Sequence, residues 1–333
     1  MMAGEDSFVG IAEYGQINRD MLARFVELPE RMPEHDTFNR LFGAFDTAEF
    51  NEWFQGFSKL IFDYLEENSP KETADKHIAL DGKTIRNSGL DKPFHILHAW
   101  NVEHRLLLMQ KTNEITAMPV LLKLLNLKGA VVTIDAMGAQ REICTIITEK
   151  EGNYIIGLKE NQPSLYEDVV DHFKMLEGMP YVSFEHCDKG HGRFEKRTCY
   201  VIDELDWLQE EHNWPGLKSI VAVKSYVEQK GKKTEFVRYY IASLPAEAER
   251  LLNLIRQHWS VEDQLHWILD CSWNEDGACI RTENAAINMS TIRKVAINIL
   301  GTAKDDKTSF KSMQRRCWNP SNVVKILDKF VRA

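Results

Sequence analysis

The sequence predicts an α/β protein with a mixed central sheet and with helices at both ends of the chain. Short apolar runs alternate with helical patterns between residues 77 and 176, which is typical of strands that alternate with helices. A strand-rich block follows at about residues 180–245, where β-branched and aromatic residues lie between turns that contain Gly and Lys. Helical periodicity dominates before residue 68 and after residue 246.

Residues 1–68 are predicted to form helices that carry an aromatic stripe. Apolar side chains recur three and four positions apart in two groups, Phe38, Leu41, Phe42 and Phe45, and then Phe50, Trp53, Phe54 and Phe57. We expect Asp36 or Thr37 to cap the first helix and Asp46 or Thr47 to cap the second. A stripe with this spacing is far more often a packing surface than a ligand site, so we interpret it as core.

A polar break at residues 68–71 (Asn-Ser-Pro-Lys) predicts a linker between a helical domain, residues 1–70, and a larger domain, residues 76–333. In the larger domain we expect the following elements: strands at 77–80, 129–134 and 154–158, a hairpin within 94–109, and helices at 118–127, 140–150 and 163–176. The block at about 180–245 is then an insertion before helices that begin near residues 246 and 285.

The composition excludes several classes of protein. Apolar residues make up 44% and charged residues 27%, which argues against global disorder. The sequence contains no run of 18 apolar residues and does not open with a secretory signal pattern, so we expect a cytoplasmic protein without a membrane span. The six cysteines are scattered without a CxxC pair, so we expect reduced thiols and no zinc finger.

The net charge of −9 argues at first against a nucleic-acid partner, but the charge is unevenly distributed. Residues 1–75 hold 6 basic and 16 acidic residues, whereas residues 76–333 hold 35 basic and 34 acidic residues. The segment 303–333 holds 8 basic and 3 acidic residues. The acidic excess therefore lies in the N-terminal module, and the remainder of the chain can present a basic face.

Two carboxylates are expected where predicted strands end. Asp81 follows the strand at 77–80, and Asp135 follows the strand at 129–134. Neighbouring strands of an open sheet would bring these two ends together, and the two carboxylates would repel each other unless a cation lay between them. Hard cations such as Mg²⁺ prefer oxygen ligands. Alternatively, each Asp alone is an ordinary turn or helix-cap residue.

A third acid is expected from the helix that contains Glu262. On a regular helix His258, Glu262 and His266 are four residues apart and share one face. Trp259 and Leu265 indicate a largely buried segment, in which an unpaired carboxylate would be costly. This cost favours a functional Glu262 over a solvated surface charge.

Five segments carry a resemblance to a known family: IALDGKTIRNS, VVTIDAMGAQREI, NYIIGLKENQPSL, DKGHGRFEKR and RQHWSVEDQLHWILD. In this order and spacing they resemble the ISAs1 family transposases, also called H-repeat-associated proteins, of the broader IS4-like DDE group. The resemblance covers about residues 33–329. It implies an RNase H-like fold with a β-rich insertion before the last catalytic helix, and a catalytic triad of Asp81, Asp135 and Glu262.

The resemblance also implies the chemistry. The three carboxylates would hold two Mg²⁺ or Mn²⁺ ions for cleavage and strand transfer of double-stranded DNA, at transposon ends and target, by a homodimer or larger assembly. Positions within the motifs make further residues candidates for DNA contact: Lys83, Lys159, Asn161, Gln162, His191, Arg193, Arg197 and His258. The broader group has Arg where His258 stands and a later Lys that has no match here, so we assign no catalytic lysine.

Two alternatives stay open at the level of sequence. A zinc hydrolase could use His258, Glu262 and His266, although on one straight helix the outer two are ~12 Å apart along the axis and cannot converge on one ion. The chain could also be a DNA-binding remnant without catalysis. The helical module before Asp81 is shorter than is usual in the family, which favours the remnant, whereas the intact acids favour an enzyme.

Overall fold

The computed structural model describes residues 1–68, 75–86, 93–112, 114–175, 178, 182–190, 192–280 and 284–331. The helices are α1 (Phe8–Ile17), α2 (Arg19–Leu22), α3 (His35–Ala44), α4 (Thr47–Asn68), α5 (Glu114–Leu124), α6 (Arg141–Glu149), α7 (Pro163–Met175), α8 (Asp206–His212), α9 (Ala248–His258), α10 (Trp267–Trp273), α11 (Ala285–Ala303), α12 (Phe310–Arg316) and α13 (Pro320–Val331). The strands are β1 (Lys76–Ile85), β2 (Phe94–Asn101), β3 (Leu106–Thr112), β4 (Ala130–Ile134), β5 (Asn153–Leu158), β6 (Val182–Gly190), β7 (Arg193–Ile202), β8 (Ser219–Gln229) and β9 (Lys232–Ala242).

The contacts between residues divide the chain into two compact units. The first comprises Met1–Glu72, Gly82–Glu114 and Val261–Ala333, and the second comprises Thr73–Asp81 and Ile115–Ser260. The N-terminal helices therefore belong to a unit that also contains later parts of the chain. The domain boundaries near residues 70 and 76 stay predictions.

The second unit is built on a mixed sheet with the strand order β1-β4-β5-β9-β8-β7-β6. β4 is parallel to both β1 and β5, whereas every pairing from β5 to β6 through β9, β8 and β7 is antiparallel. The strand-rich block thus extends the same sheet through the β5–β9 pairing. The α/β class and the mixed sheet are confirmed, and α8 is a helix within the block that the pattern did not predict.

Helix α9 covers one face of the antiparallel part of this sheet. Its buried residues Leu251, Leu254 and Ile255 pack in one cluster with Val221 and Val223 of β8. Ile220 and Ala222, which alternate with these residues on the opposite face, are also buried, so this end of β8 is covered on both sides. The packing fixes the helix that leads towards Glu262.

In the first unit β2 pairs with both β1 and β3, and helices α4 and α11 pack near β3. Phe54 and Ile61 of α4 are buried, and Asn298 of α11 donates hydrogen bonds to Ser58 (3.2 Å) and to the Leu107 carbonyl (2.8 Å). The hairpin predicted within residues 94–109 is confirmed. Helix α5 begins four residues before the predicted start.

The aromatic stripe is only partly core, so our interpretation of it was too broad. Phe54 is buried, but Phe45, Phe50, Trp53 and Phe57 form a near-parallel stack with ring centroids 5.4–5.6 Å apart, and Trp53 is 48% exposed. The reason is that α4 carries apolar residues on more than one face, and the core covers only one of them.

The caps were predicted correctly for one helix. Asp46 Oδ1 accepts hydrogen bonds from the backbone N–H groups of Ala48 (2.9 Å) and Glu49 (3.0 Å) at the start of α4. Helix α3 starts at His35 with Glu34 in the cap position, so Asp36 lies in its first turn instead.

None of the helices in the described part of the chain is both long and apolar enough to cross a membrane.

Candidate active site

Asp81 and Asp135 lie at the same edge of the parallel strands. In the β1–β4 pairing Leu80 is opposite Ile134, so the next residue on each strand is one of the two acids. Adjacent strands are about 4.8 Å apart, which places the two backbones side by side at this point. β1 continues to Ile85, so Asp81 does not end its strand as predicted; it lies where the pairing with β4 ends.

The backbone after Asp135 is held by four contacts. The Asp135 carboxylate accepts a hydrogen bond from the Met137 N–H (3.0 Å) and caps the 3₁₀ turn Ala136–Gly138. Asn161 donates to the Ala136 carbonyl (2.6 Å), and Gln162 donates to the Ala139 carbonyl (2.8 Å). These two amides, predicted as DNA contacts, thus position the Asp135 turn in the structure.

The fourth contact is a close approach of β5 to the Asp135 turn, which favours glycine at position 157. A Cβ at Gly157 of β5 would lie 3.0 Å from the Ala136 backbone N and 3.4 Å from the Asp135 carbonyl carbon. Backbone atoms cannot move aside as a flexible side chain can, so any side chain here would push the turn away from the sheet. Three residues of the NYIIGLKENQPSL segment, Gly157, Asn161 and Gln162, therefore lie against the Asp135 turn.

A buried chain of hydrogen bonds lies just behind Asp135. Thr133 Oγ1 is 2.8 Å from His77 Nε2 and 2.9 Å from His258 Nδ1, and His77 Nδ1 is 3.2 Å from Gln257 Oε1. The chain is complete when both imidazoles are neutral with the proton on Nδ1. Burial lowers the pKa of His77 to about 4, and burial also lowers that of His258 to about 4 despite the opposing effect of Asp135.

An open pocket beside Asp135 is lined by a positively charged side chain, that of Lys159. Its lining includes Asp135, Lys159, Asn161 and Tyr166. Lys159 is exposed, and within the described ranges no carboxylate lies within ion-pairing distance of its ammonium group. Glu160 also lines the pocket, which therefore joins two carboxylates and one positive charge on a surface that solvent reaches.

Glu262 lies on an irregular part of the helix, contrary to the regular spacing that we predicted. α9 ends at His258, and Glu262–His266 form a π-helical turn before α10. The π turn interrupts the regular α-helix at Glu262, and such turns are frequent at functional sites. Glu262 is exposed, so the argument from burial was wrong, although Val261 and Leu265 are buried.

Trp259 does not anchor the helix in the core. It is 39% exposed and lies beneath the guanidinium group of Arg238, whose carbon is 4.8 Å from the ring centroid. The anchors are instead Leu251, Leu254 and Ile255, one face of α9. The sequence pattern could not distinguish these two apolar surfaces.

Lys83, two residues after Asp81, is buried among acids of the first unit. Its ammonium lies 2.8 Å from Asp270, 3.1 Å from Asp276 and 3.5 Å from Glu275. Burial opposes the charged form, but the three carboxylates outweigh it and raise the pKa of Lys83. A phosphate contact by Lys83 would require these ion pairs to open.

The arginines predicted to contact DNA are also paired within the protein. Arg193 lies 3.0 Å from Glu195, and Arg197 lies 2.6 Å from Glu195 and 3.2 Å from Asp188. Arg193 remains 47% exposed, whereas Arg197 is 23% exposed. His191 lies outside the described residues.

The histidines of the zinc alternative are engaged separately. His266 Nε2 lies 2.9 Å from His98 Nδ1 on β2, and His258 is part of the chain with Thr133. Among the described residues, Asp168, Glu211 and His212 do form a compact group, in which His212 Nε2 lies 2.7 Å from Asp168 Oδ2. That hydrogen bond joins α7 to α8.

Sequence reasoning missed His77, Thr133, Gly157 and Arg238. The signal for Gly157 was present, because an isolated glycine inside a strand marks a close approach of backbone. His77, Thr133 and Arg238 lie on strands and belong to no distinctive sequence pattern. Their contacts can be seen only in the folded structure.

Comparison with known proteins decides the family. Residues 72–299 match the family model of the transposase DDE domain, and residues 1–58 match a model described as DDE_Tnp_1-associated. The chain belongs to the transposase DDE domain family. The matched residues 72–299 include every strand of the mixed sheet.

The DDE transposase has relatives that match over most of its length. YhhI of Escherichia coli K12, an H repeat-associated protein with a provisional transposase name, is 35% identical over 95% of this chain and 86% of its own. YbfL of the same strain has the same identity and coverage. A solved piggyBac transposase synaptic complex with hairpin DNA is 12% identical and covers 97% of this chain and 78% of its own, with a TM-score of 0.41.

Proposed function

We propose that this DDE transposase cleaves double-stranded DNA at the ends of an insertion sequence and joins them to a target. The observation that carries the proposal is the β1–β4 register, which brings Asp81 and Asp135 to one sheet edge beside the exposed Lys159. Glu262, exposed on its π-helical turn, is the proposed third acid.

The carboxylates fit divalent cations of the Mg²⁺ or Mn²⁺ type, because these ions prefer oxygen ligands and retain water on exposed sites. Asp81 and Asp135 are only half-buried, and Asp135 uses one oxygen as a helix cap, which leaves the other for a ligand. When bound, such ions would stabilise charge on the phosphate and increase the nucleophilicity of water or of a DNA 3′-hydroxyl.

The residues of this chain would then act by positioning and by charge. A nucleophilic oxygen attacks the phosphorus, a new P–O bond forms, and the bond to the 3′ oxygen of the leaving strand breaks. Lys159 would hold a non-bridging phosphate oxygen next to Asp135. The hydrogen bonds from Asn161 and Gln162 would keep the Asp135 turn in place during the reaction. A homodimer or larger complex would bring two DNA ends together.

The test is cleavage of a duplex that carries the element's own ends, in the presence of Mg²⁺ or Mn²⁺. Asp81→Asn and Asp135→Asn should each abolish cleavage while the circular dichroism spectrum is unchanged. Asp171→Asn, an exposed acid of α7 paired with Lys174, is the matched control and should cleave normally. DNA binding without metal-dependent cleavage by the unaltered chain would favour the binding-only alternative.

A further inference from the structure

Arg238 of β9 lies between two aromatic rings on the surface of the second unit. Its guanidinium carbon is 4.9 Å from the Phe236 ring centroid and 4.8 Å from the Trp259 ring centroid. Arg238 is exposed, and Tyr240 accepts a hydrogen bond from it. The guanidinium group is therefore held in one orientation while its edge faces solvent.

The charge of Arg238 is not neutralised within the described part of the chain, where no carboxylate oxygen lies within 4.0 Å of it. Arg238 differs in this respect from the nearby arginines. Arg193 and Arg197 pair with Glu195, and Arg256 of α9 pairs with Asp188. A stacked arginine keeps its in-plane N–H donors available, and these match the oxygens of a phosphate.

Other cations lie on the same face of the sheet. Lys232, Phe236 and Arg238 are separated by even numbers of residues on β9 and so point to one side. The register places Gln229 opposite both Lys232 and Arg193, so Arg193 points to this side as well. Lys232 is exposed at the turn of the hairpin. Arg193 is paired with Glu195 on this same face, whereas Lys232, like Arg238, has no ion-pair partner among the described residues.

We propose that Arg238, with Lys232 further along the same face towards the hairpin turn, is a contact for the sugar–phosphate backbone of duplex DNA. The inference rests on the proposed function and adds the surface by which the DNA is held. Recognition by these groups is through charge and is independent of base sequence. Phe236 and Trp259 act by positioning the guanidinium group.

The experiment measures the binding of a 30-base-pair duplex of arbitrary sequence by fluorescence anisotropy at several salt concentrations. Loss of one phosphate contact should raise Kd by about 5- to 10-fold at 0.1 M salt and reduce the slope of log K against log salt by about 0.9. We expect this of Arg238→Gln. Lys128→Gln, which removes an exposed charge that is paired with Glu151 just before the start of β4, should change neither quantity.

A second pair of variants separates charge from positioning. Trp259→Leu should raise Kd by a smaller factor and leave the salt slope unchanged, because the charge remains. Arg238→Lys should retain the slope and part of the affinity. If the unaltered chain binds but Arg238→Gln behaves like Lys128→Gln, the inference is overturned and the proposed function is not. If the unaltered chain binds no duplex at low salt, the proposed function fails and the inference fails with it.

Discussion

At the scale of residues, the side chains that hold the Asp135 turn and the strand end behind it are neutral polar groups. Thr133 bridges two imidazoles, and Asn161 and Gln162 hold the turn that follows Asp135. A catalytic carboxylate must be fixed to a fraction of an ångström, and hydrogen bonds from neighbouring elements achieve this. The neutral state of the imidazoles is part of the arrangement.

His77 should make stability depend on pH. Its pKa is lowered by burial to about 4 from an ordinary value of 6.5, so between these values the unfolded chain binds a proton that the folded protein does not. The free energy of unfolding should therefore fall as the pH falls from 6.5 to 4, by roughly 3 kcal/mol from this fully buried group.

Urea unfolding at several pH values tests this, with His77→Gln as the comparison. Glutamine stays neutral, so lowering the pH from 7 to 4 should reduce the unfolding free energy of the unaltered protein by roughly 3 kcal/mol more than that of His77→Gln. Curves that remain parallel over this range would show that His77 does not titrate as described.

At the scale of elements, two features hold strands and helices in place. One is a close approach between backbone segments near Asp135, and the other is a group of buried charges in the first unit. Gly157 allows the turn after Asp135 to lie against β5. In the first unit, Glu275 and Lys294 are both fully buried and lie 3.2 Å apart, and Lys83 joins them from β1. Lys294 and Lys83 outweigh the burial of Glu275 and lower its pKa.

Gly157→Ala should impair cleavage more than it impairs folding. The added methyl group meets backbone at 3.0 Å, so the Asp135 turn must shift, and we expect a destabilisation of about 1–3 kcal/mol. The cleavage rate should fall by at least tenfold while the affinity for duplex DNA is retained. Gly56→Ala, at a position with open space on α4, is the control; equal rates for the two variants would refute the positioning role.

Glu275→Gln should destabilise the protein strongly, because Lys294 would remain buried without its carboxylate. Breaking one partner of a buried ion pair costs about 3–5 kcal/mol. Adding Lys294→Met to the same protein should recover most of that loss, since neither charge is then left alone. Unfolding free energies of the two single variants and the double variant give the coupling, and simple additivity would contradict the account.

At the scale of the whole molecule, the sequence was sufficient for the strands and helices of residues 77–176, for the strand-rich block without its helix α8, and for the two acids at one sheet edge. Apolar runs of limited length, such as residues 129–134, predict buried strands well. The exposure of Trp259 and the ion pairs of Lys83 could not be predicted, because both depend on contacts between residues far apart in sequence. The π-helical turn at Glu262 also leaves no signature in the hydrophobic periodicity.

The central claim is that Glu262 completes a catalytic set with Asp81 and Asp135, and one pair of variants tests it most directly. Glu262→Gln and Asp263→Asn alter adjacent exposed acids on the same turn and remove the same charge. Each is assayed for Mg²⁺-dependent cleavage of element-end DNA, with duplex binding measured in parallel. We predict that Glu262→Gln binds DNA but does not cleave it, while Asp263→Asn cleaves at a rate close to that of the unaltered chain. Cleavage by Glu262→Gln at the unaltered rate would contradict the account.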